Sequence, residues 1–117
     1  MLQNQEFTYI GKMTSITGNF IFKGPTHLQG MIQGEIEVQN SAKLVLEIGS
    51  STEGSLVCFD LDIYGEFVGD IKSQGHVTIY PTAYFEGKII CKSLEILPGA
   101  VVNMIGHTED DINSKIL

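Results

Sequence analysis

The feature that most narrows what this chain can fold into is an internal repeat. Leu28-Gln29-Gly30-Met31-Ile32-Gln33-Gly34-Glu35-Ile36 aligns with Ile63-Tyr64-Gly65-Glu66-Phe67-Val68-Gly69-Asp70-Ile71, sharing apolar, Gly, apolar, Gly and Ile at five positions. Extending the comparison gives an apolar column at Ile10, Leu28, Leu46, Ile63, Ile79 and Ile96, whose intervals are nearly but not quite equal. Two positions earlier runs Thr26, Leu44, Leu61, Val77 and Leu94. Downstream come Ile16, Ile32, Thr52, Phe67, Phe85 and Val102, then glycines at 18, 34, 54, 69 and 87. Two further columns follow at steps of two: Phe20, Ile36, Leu56, Ile71, Ile89, and Phe22, Val38, Cys58, Ser73, Cys91.

Steps of two mean extended segments whose side chains alternate between opposite faces. The columns supply an apolar inward set, and Lys43, Glu47, Asp60, Asp62, Lys72, Lys88, Lys92 and Glu95 belong to the outward one. One such unit cannot bury its apolar face alone, so units must stack, with backbone hydrogen bonds running along the axis. The pattern predicts an all-β, single-domain parallel β-helix of about six coils, each roughly 16–18 residues long. Each coil has three extended segments, parted by glycine-rich or polar corners, around a triangular core. A β-sandwich also spaces short strands evenly, but it does not demand one residue class at the same column of every repeat. The domain is expected over 10–106, between a short N-terminal tail at 1–9 and an acidic C-terminal tail at 107–117. Six coils about 4.8 Å apart make a rod on the order of 30 Å long.

Charge narrows the partners. The chain has seven lysines and no arginine against fourteen acidic residues, a net charge of −7. Nucleic acid needs clustered cations, so it is not an expected partner. No apolar run approaches the length of a membrane-spanning helix. The opening Met1-Leu2-Gln3-Asn4-Gln5-Glu6 lacks a basic start followed by an apolar stretch, so a cytoplasmic location is expected. Cys58 and Cys91 fall in one inward column two coils apart, roughly 10 Å, beyond disulfide reach.

A solenoid has two open ends, which natural proteins block when they are not used. Only the segment 1–9 precedes Ile10, too short for a stable capping helix. The last coil is irregular, with Met104 in the glycine column and an apolar run Ala100-Val101-Val102-Asn103-Met104-Ile105. An open apolar coil is expected to be a contact surface that continues the stack into another molecule.

Leu28 to Ile36, Ala83-Tyr84-Phe85-Glu86-Gly87-Lys88-Ile89 and Leu94-Glu95-Ile96-Leu97-Pro98-Gly99-Ala100 resemble the repeats of the bactofilins, polymer-forming cytoskeletal proteins of bacteria. The resemblance runs from about Ile16 to Gly106. It implies a right-handed β-helix and end-to-end, nucleotide-independent filaments. It also implies a scaffold role in cell shape, morphogenesis or motility, at the cytoplasmic face of the inner membrane, with peptidoglycan-modifying enzymes or inner-membrane proteins as partners. Because polymerisation in that family uses apolar side chains of the terminal coils, it points to Val101, Val102, Met104 and Ile105 at one end. At the other end it points to Phe7, Ile10 and Ile16. Where some relatives have a phenylalanine in the final coil, this chain has Val102. The apolar membrane-targeting N-terminus of some relatives is matched only by Met1-Leu2.

A catalytic alternative is a left-handed β-helix of hexapeptide type, an acyltransferase or zinc hydratase. Such folds need an apolar residue every six positions and a uniform coil, and zinc needs converging histidines. His27 and His76 are expected on one outward column three coils apart, about 14 Å, too far to share a metal. No Ser-His-Asp grouping or phosphate-cradling loop is found, so no catalytic residue, cofactor or metal site is assigned and no enzymatic activity is expected. A third possibility is ligand or partner binding along the rod, with Tyr64, Tyr80 and Tyr84 as its outward stripe. Exposed tyrosines also suit strands by propensity alone.

Overall fold

The structure, a computed structural model, describes residues 8–104 and the strand Ser114–Ile116. β1 (Thr8–Ile10) and β2 (Ser15–Lys23) form the first coil, and β3 (Thr26–Leu28) and β4 (Met31–Gln39) the second. β5 (Leu44–Leu46) and β6 (Ser51–Cys58) form the third, β7 (Leu61–Ile63) and β8 (Glu66–Ser73) the fourth. β9 (His76–Ile79) and β10 (Tyr84–Ile90) make the fifth, and β11 (Ser93–Ile96) and β12 (Val101–Met104) the sixth. β13 (Ser114–Ile116) lies over β11. The short odd-numbered strands build a seven-stranded sheet and the even-numbered ones a six-stranded sheet, with every neighbour parallel. The chain is therefore an all-β parallel solenoid.

Register follows the sequence columns. Ile16, Ile32, Thr52, Phe67, Phe85 and Val102 stand in line across six strands, although the stretch from Ile32 to Thr52 is clearly longer than that from Thr52 to Phe67. The extra length sits in the corners. In the third, fifth and sixth coils a turn closes the corner through Ser50 N–H to Glu47 O at 3.0 Å, Ala83 N–H to Tyr80 O at 2.9 Å and Ala100 N–H to Leu97 O at 3.2 Å.

The coil differs from the expectation in one respect. It has two strands, not three, because the glycine column lies inside the long strand. The strand bends there without leaving its ladder, so the long-strand sheet supplies two walls of the core and the short-strand sheet the first. The bend is made at φ between +133° and +142°, a backbone region that side chains rarely adopt. Stacking adds a second demand at the same place. A Cβ on Gly54 would overlap the carbonyl oxygen of Gly34 in the coil beneath.

Two boundaries also differ. Thr8 and Tyr9, read as tail, belong to β1, and the segment 107–117 contains β13, whose Ile116 continues the Ile96 column in register. Between the walls, Leu28, Ile32, Leu44, Leu46, Leu61, Ile63, Phe67, Val77, Ile79, Phe85 and Ile89 are fully excluded from solvent. Phe67 and Phe85 stack on successive coils with centroids 5.8 Å apart. Thr52 is the discordant member of its column: it is 2% exposed and its hydroxyl has no hydrogen-bond partner.

Gly54→Ala meets both the φ and the overlap, so it is expected to cost at least ~3 kcal/mol in a denaturant-unfolding experiment. Thr52→Val removes a buried, unpaired hydroxyl at equal volume and is expected to raise the unfolding free energy by about 1 kcal/mol in the same assay.

Candidate polymerisation surfaces at the two ends

The columns stop abruptly at the first coil. Ile10, Ile16, Phe20 and Phe22 point inward, yet all four are only half-buried, packed against the core from one side. Their counterparts one coil later, Leu28, Ile32, Ile36 and Val38, are 0–2% exposed. Phe20 and Phe22 lie with their rings nearly parallel, 6.1 Å between centroids. Among the described residues this end is a core cut across, bordered by the outermost strands β1 and β2. The sequence reading marks Ile10 and Ile16 but passes over Phe20 and Phe22. Both phenylalanines head columns that have no predecessor, which is the signal that would find them.

The other end is stepped. β13 covers β11, and Ile96 is 5% exposed, while β12 is the last strand of its sheet among the described residues. Val102 stacks on Phe85 in register and remains half-buried. Met104 stands over Gly87, in the glycine column, but its φ is not positive. The bend that carries every earlier coil onto its third wall is therefore absent at this residue. Val101 is 51% exposed and alternates with Val102, so it faces outward at the rim and not into the cut core. Phe7 and Ile105 lie outside the described residues.

The remaining candidates sit along the rod. Tyr64 and Tyr80 stack on each other with centroids 4.1 Å apart and planes 10° from parallel, so each ring has one face covered by its neighbour. Hydrogen bonding to Tyr80 holds the Tyr64 phenol above its ordinary pKa. Tyr84 opens β10 beyond the Pro81–Ala83 turn and donates its hydroxyl hydrogen to Glu86 at 2.9 Å. The tyrosines thus form a pair and a separate residue across a corner.

The histidines do not share a column as expected. His27 is in register with Tyr9 and Val45, so its counterpart in the fifth coil is Thr78, whereas His76 pairs with Ser93. The two-residue offset arises because His27 precedes the Leu28 column and His76 precedes the Val77 column, which lies two positions earlier in the strand. His27 Nδ1 meets Glu47 at 2.6 Å, and His76 lies against Ser93 and Glu95. Among the described residues no three His, Cys, Asp or Glu side chains converge as a metal site. On the same outer face Lys43 pairs with the largely buried Asp62 at 2.9 Å, and that hydrogen bond and charge raise the lysine's pKa. No helix among the described residues is long and apolar enough to cross a membrane.

A two-sheet parallel solenoid is a shape that known proteins share. The family model of the bactofilins, described as polymer-forming cytoskeletal, matches residues 8–107. The chain belongs to the bactofilin family. No curated protein matches it. Among solved structures, that of the cytoskeletal bactofilin BacA, determined by solid-state NMR, is similar in fold with a TM-score of 0.80. The match covers 91% of this chain and 99% of BacA at 23% identity. The family is one of cytoskeletal scaffolds that form polymers.

Within this bactofilin fold the cysteines are core residues. Both are buried and neither is in a disulfide, and burial pushes the Cys58 thiol up to about 12. Since the thiolate is the reactive form, neither cysteine of the native chain is expected to be alkylated by iodoacetamide at about pH 8. Labelling of both after denaturation, counted by mass spectrometry, is the expected contrast.

Proposed function

We propose that this chain polymerises end to end, the cut core of one solenoid closing against that of the next, into filaments that need neither nucleotide nor metal. The observation that carries this reading is the contrast at the first coil. Four inward apolar side chains stay half-exposed there while their counterparts one coil on are sealed. Full burial of a large apolar side chain contributes ~1.5–3 kcal/mol, so completing four of them supplies several kcal/mol. Free strand edges at the same surface add backbone pairing. Val102 and Met104 supply the apolar part of the opposite end, with Val101 at its rim, and Phe7 and Ile105 are included as flanking contacts.

The filament acts as a non-enzymatic scaffold at the cytoplasmic face of the inner membrane. It positions peptidoglycan-modifying enzymes or inner-membrane proteins in cell shape, morphogenesis or motility. The preassembled Tyr64–Tyr80 pair, with Tyr84 across the corner, serves as a lateral partner contact. Support comes from membership of a polymer-forming cytoskeletal family.

Negative-stain micrographs in nucleotide-free buffer with a chelator are expected to contain filaments. Phe20→Arg and Val102→Arg, each with an unchanged far-UV spectrum, should sediment as small soluble species. Wild-type protein that stays monomeric at high concentration, or filaments unaltered in both variants, would refute the end-to-end reading.

A further inference from the structure

The chain contains four tyrosines and no tryptophan, so its phenols are the aromatic side chains that most readily lose a single electron. Tyr9 and Tyr84 each stand apart from other phenols, hydrogen-bonded to Gln29 and Glu86 at 2.9 Å. Tyr64 and Tyr80 do not. With centroids 4.1 Å apart and planes 10° from parallel, they are the one tyrosine pair in ring contact among the described residues. The first wall fixes how the two rings overlap. Ile63 and Ile79 are register partners, so the residues that follow them leave the backbone at matching places on neighbouring coils. Tyr80 N–H donates to Ile63 O at 2.9 Å and Tyr64 N–H to Leu46 O at 2.7 Å, which pins both backbones. At the far end the two hydroxyls are hydrogen-bonded to each other. Aligned at both ends, the rings lie head over head, with the carbon beside one hydroxyl facing its counterpart beside the other. Both rings are half-buried on the outer face, so a diffusing oxidant reaches them, while Cys58 and Cys91 are buried in the core.

We propose that Tyr64 and Tyr80 are a site of oxidative modification, joined as dityrosine, which staples the fourth coil to the fifth. The co-reactant is a one-electron oxidant of the peroxidase class, drawing on hydrogen peroxide. Each phenol gives up one electron and its hydroxyl proton and becomes a phenoxyl radical, whose unpaired electron is shared with the ring carbons beside the oxygen. The two unpaired electrons form a bond between the facing carbons. The hydrogen on each of those carbons then moves as a proton to the oxygen of its own ring, which restores both phenols. The pair loses two electrons and two protons in all, and these, with two further protons from water, reduce one peroxide to two waters.

Contact is what selects this pair. A radical on Tyr9 or Tyr84 must meet a second by collision, whereas radicals on Tyr64 and Tyr80 arise already in place, at an effective concentration that no dilute solution matches. The new bond closes the segment 64–80, which restricts the unfolded chain as a disulfide does. It lies on the side of the rod and leaves both ends untouched, so it does not depend on the end contacts proposed above.

Full-length protein is treated at low concentration with horseradish peroxidase and hydrogen peroxide, and the single-chain band is digested with trypsin. Lys72 lies between the two tyrosines, so the modification joins the peptide ending at Lys72 to the one ending at Lys88. The expected product is two hydrogens lighter than the two peptides together, and the modified chain unfolds at a higher urea concentration than the untreated one. Tyr84 shares the second peptide with Tyr80, so Tyr80→Phe is expected to abolish the joined product and Tyr84→Phe to leave it unchanged. No joined peptide, its survival in Tyr80→Phe, its loss in Tyr84→Phe, or a urea midpoint that does not rise overturns the proposal. Filament formation by the variants is scored separately by electron microscopy, and its failure refutes only the end-to-end reading.

Discussion

Close approach of backbone to backbone at the glycine bend is the constraint on which the rest of this solenoid depends. The long strand must turn onto the third wall while its amide and carbonyl groups stay paired with the coils above and below. A bend at φ near +137°, with the carbonyl of the coil beneath against the bare Cα, meets both demands. Because the bend repeats in five successive coils, the ladder passes the corner unbroken and every inward column stays in line. The other corners carry no such burden, so they absorb the variation in coil length.

The two ends are therefore defined by where that constraint stops. At the first coil the bend is present, but nothing among the described residues lies beneath it. There a Cβ on Gly18 would meet only the Phe20 ring, at 3.7 Å. The first coil is built like an interior one and ends in mid-core. At the sixth coil the bend is lost, because Met104 brings a Cβ and an ordinary φ to the glycine column. One end is an interrupted coil stack and the other a modified one, and their apolar faces differ in composition: aromatic and isoleucine at one, valine and methionine at the other.

Most of the architecture is legible in the sequence because register in a parallel stack is a statement about columns, and columns survive unequal spacing. Thr52 can be placed between Ile32 and Phe67 from residue class and the glycine two positions on. The continuity of the long strand is less visible, since a glycine ordinarily punctuates a strand. Yet Ile16, Gly18, Phe20 and Phe22 share one parity, which is the mark of an unbroken strand. Seeking interface residues near the chain termini passes over Phe20 and Phe22, which sit deeper in the sequence but in the outermost coil. β13 has no such mark: the interval from Ile96 to Ile116 is longer than any other in that column, and the acidic Glu109-Asp110-Asp111 interrupts it.

The step left by β13 has a geometric consequence. A flat triangular end would admit a docking molecule at several rotations about the long axis, each burying a similar area. An end on which, among the described residues, the first wall stands a strand higher than the second would work like a half-lap joint, seating a counterpart at one angle. In a stack continued through that end, the rotation between successive subunits would be set by the short strand Ser114–Ile116.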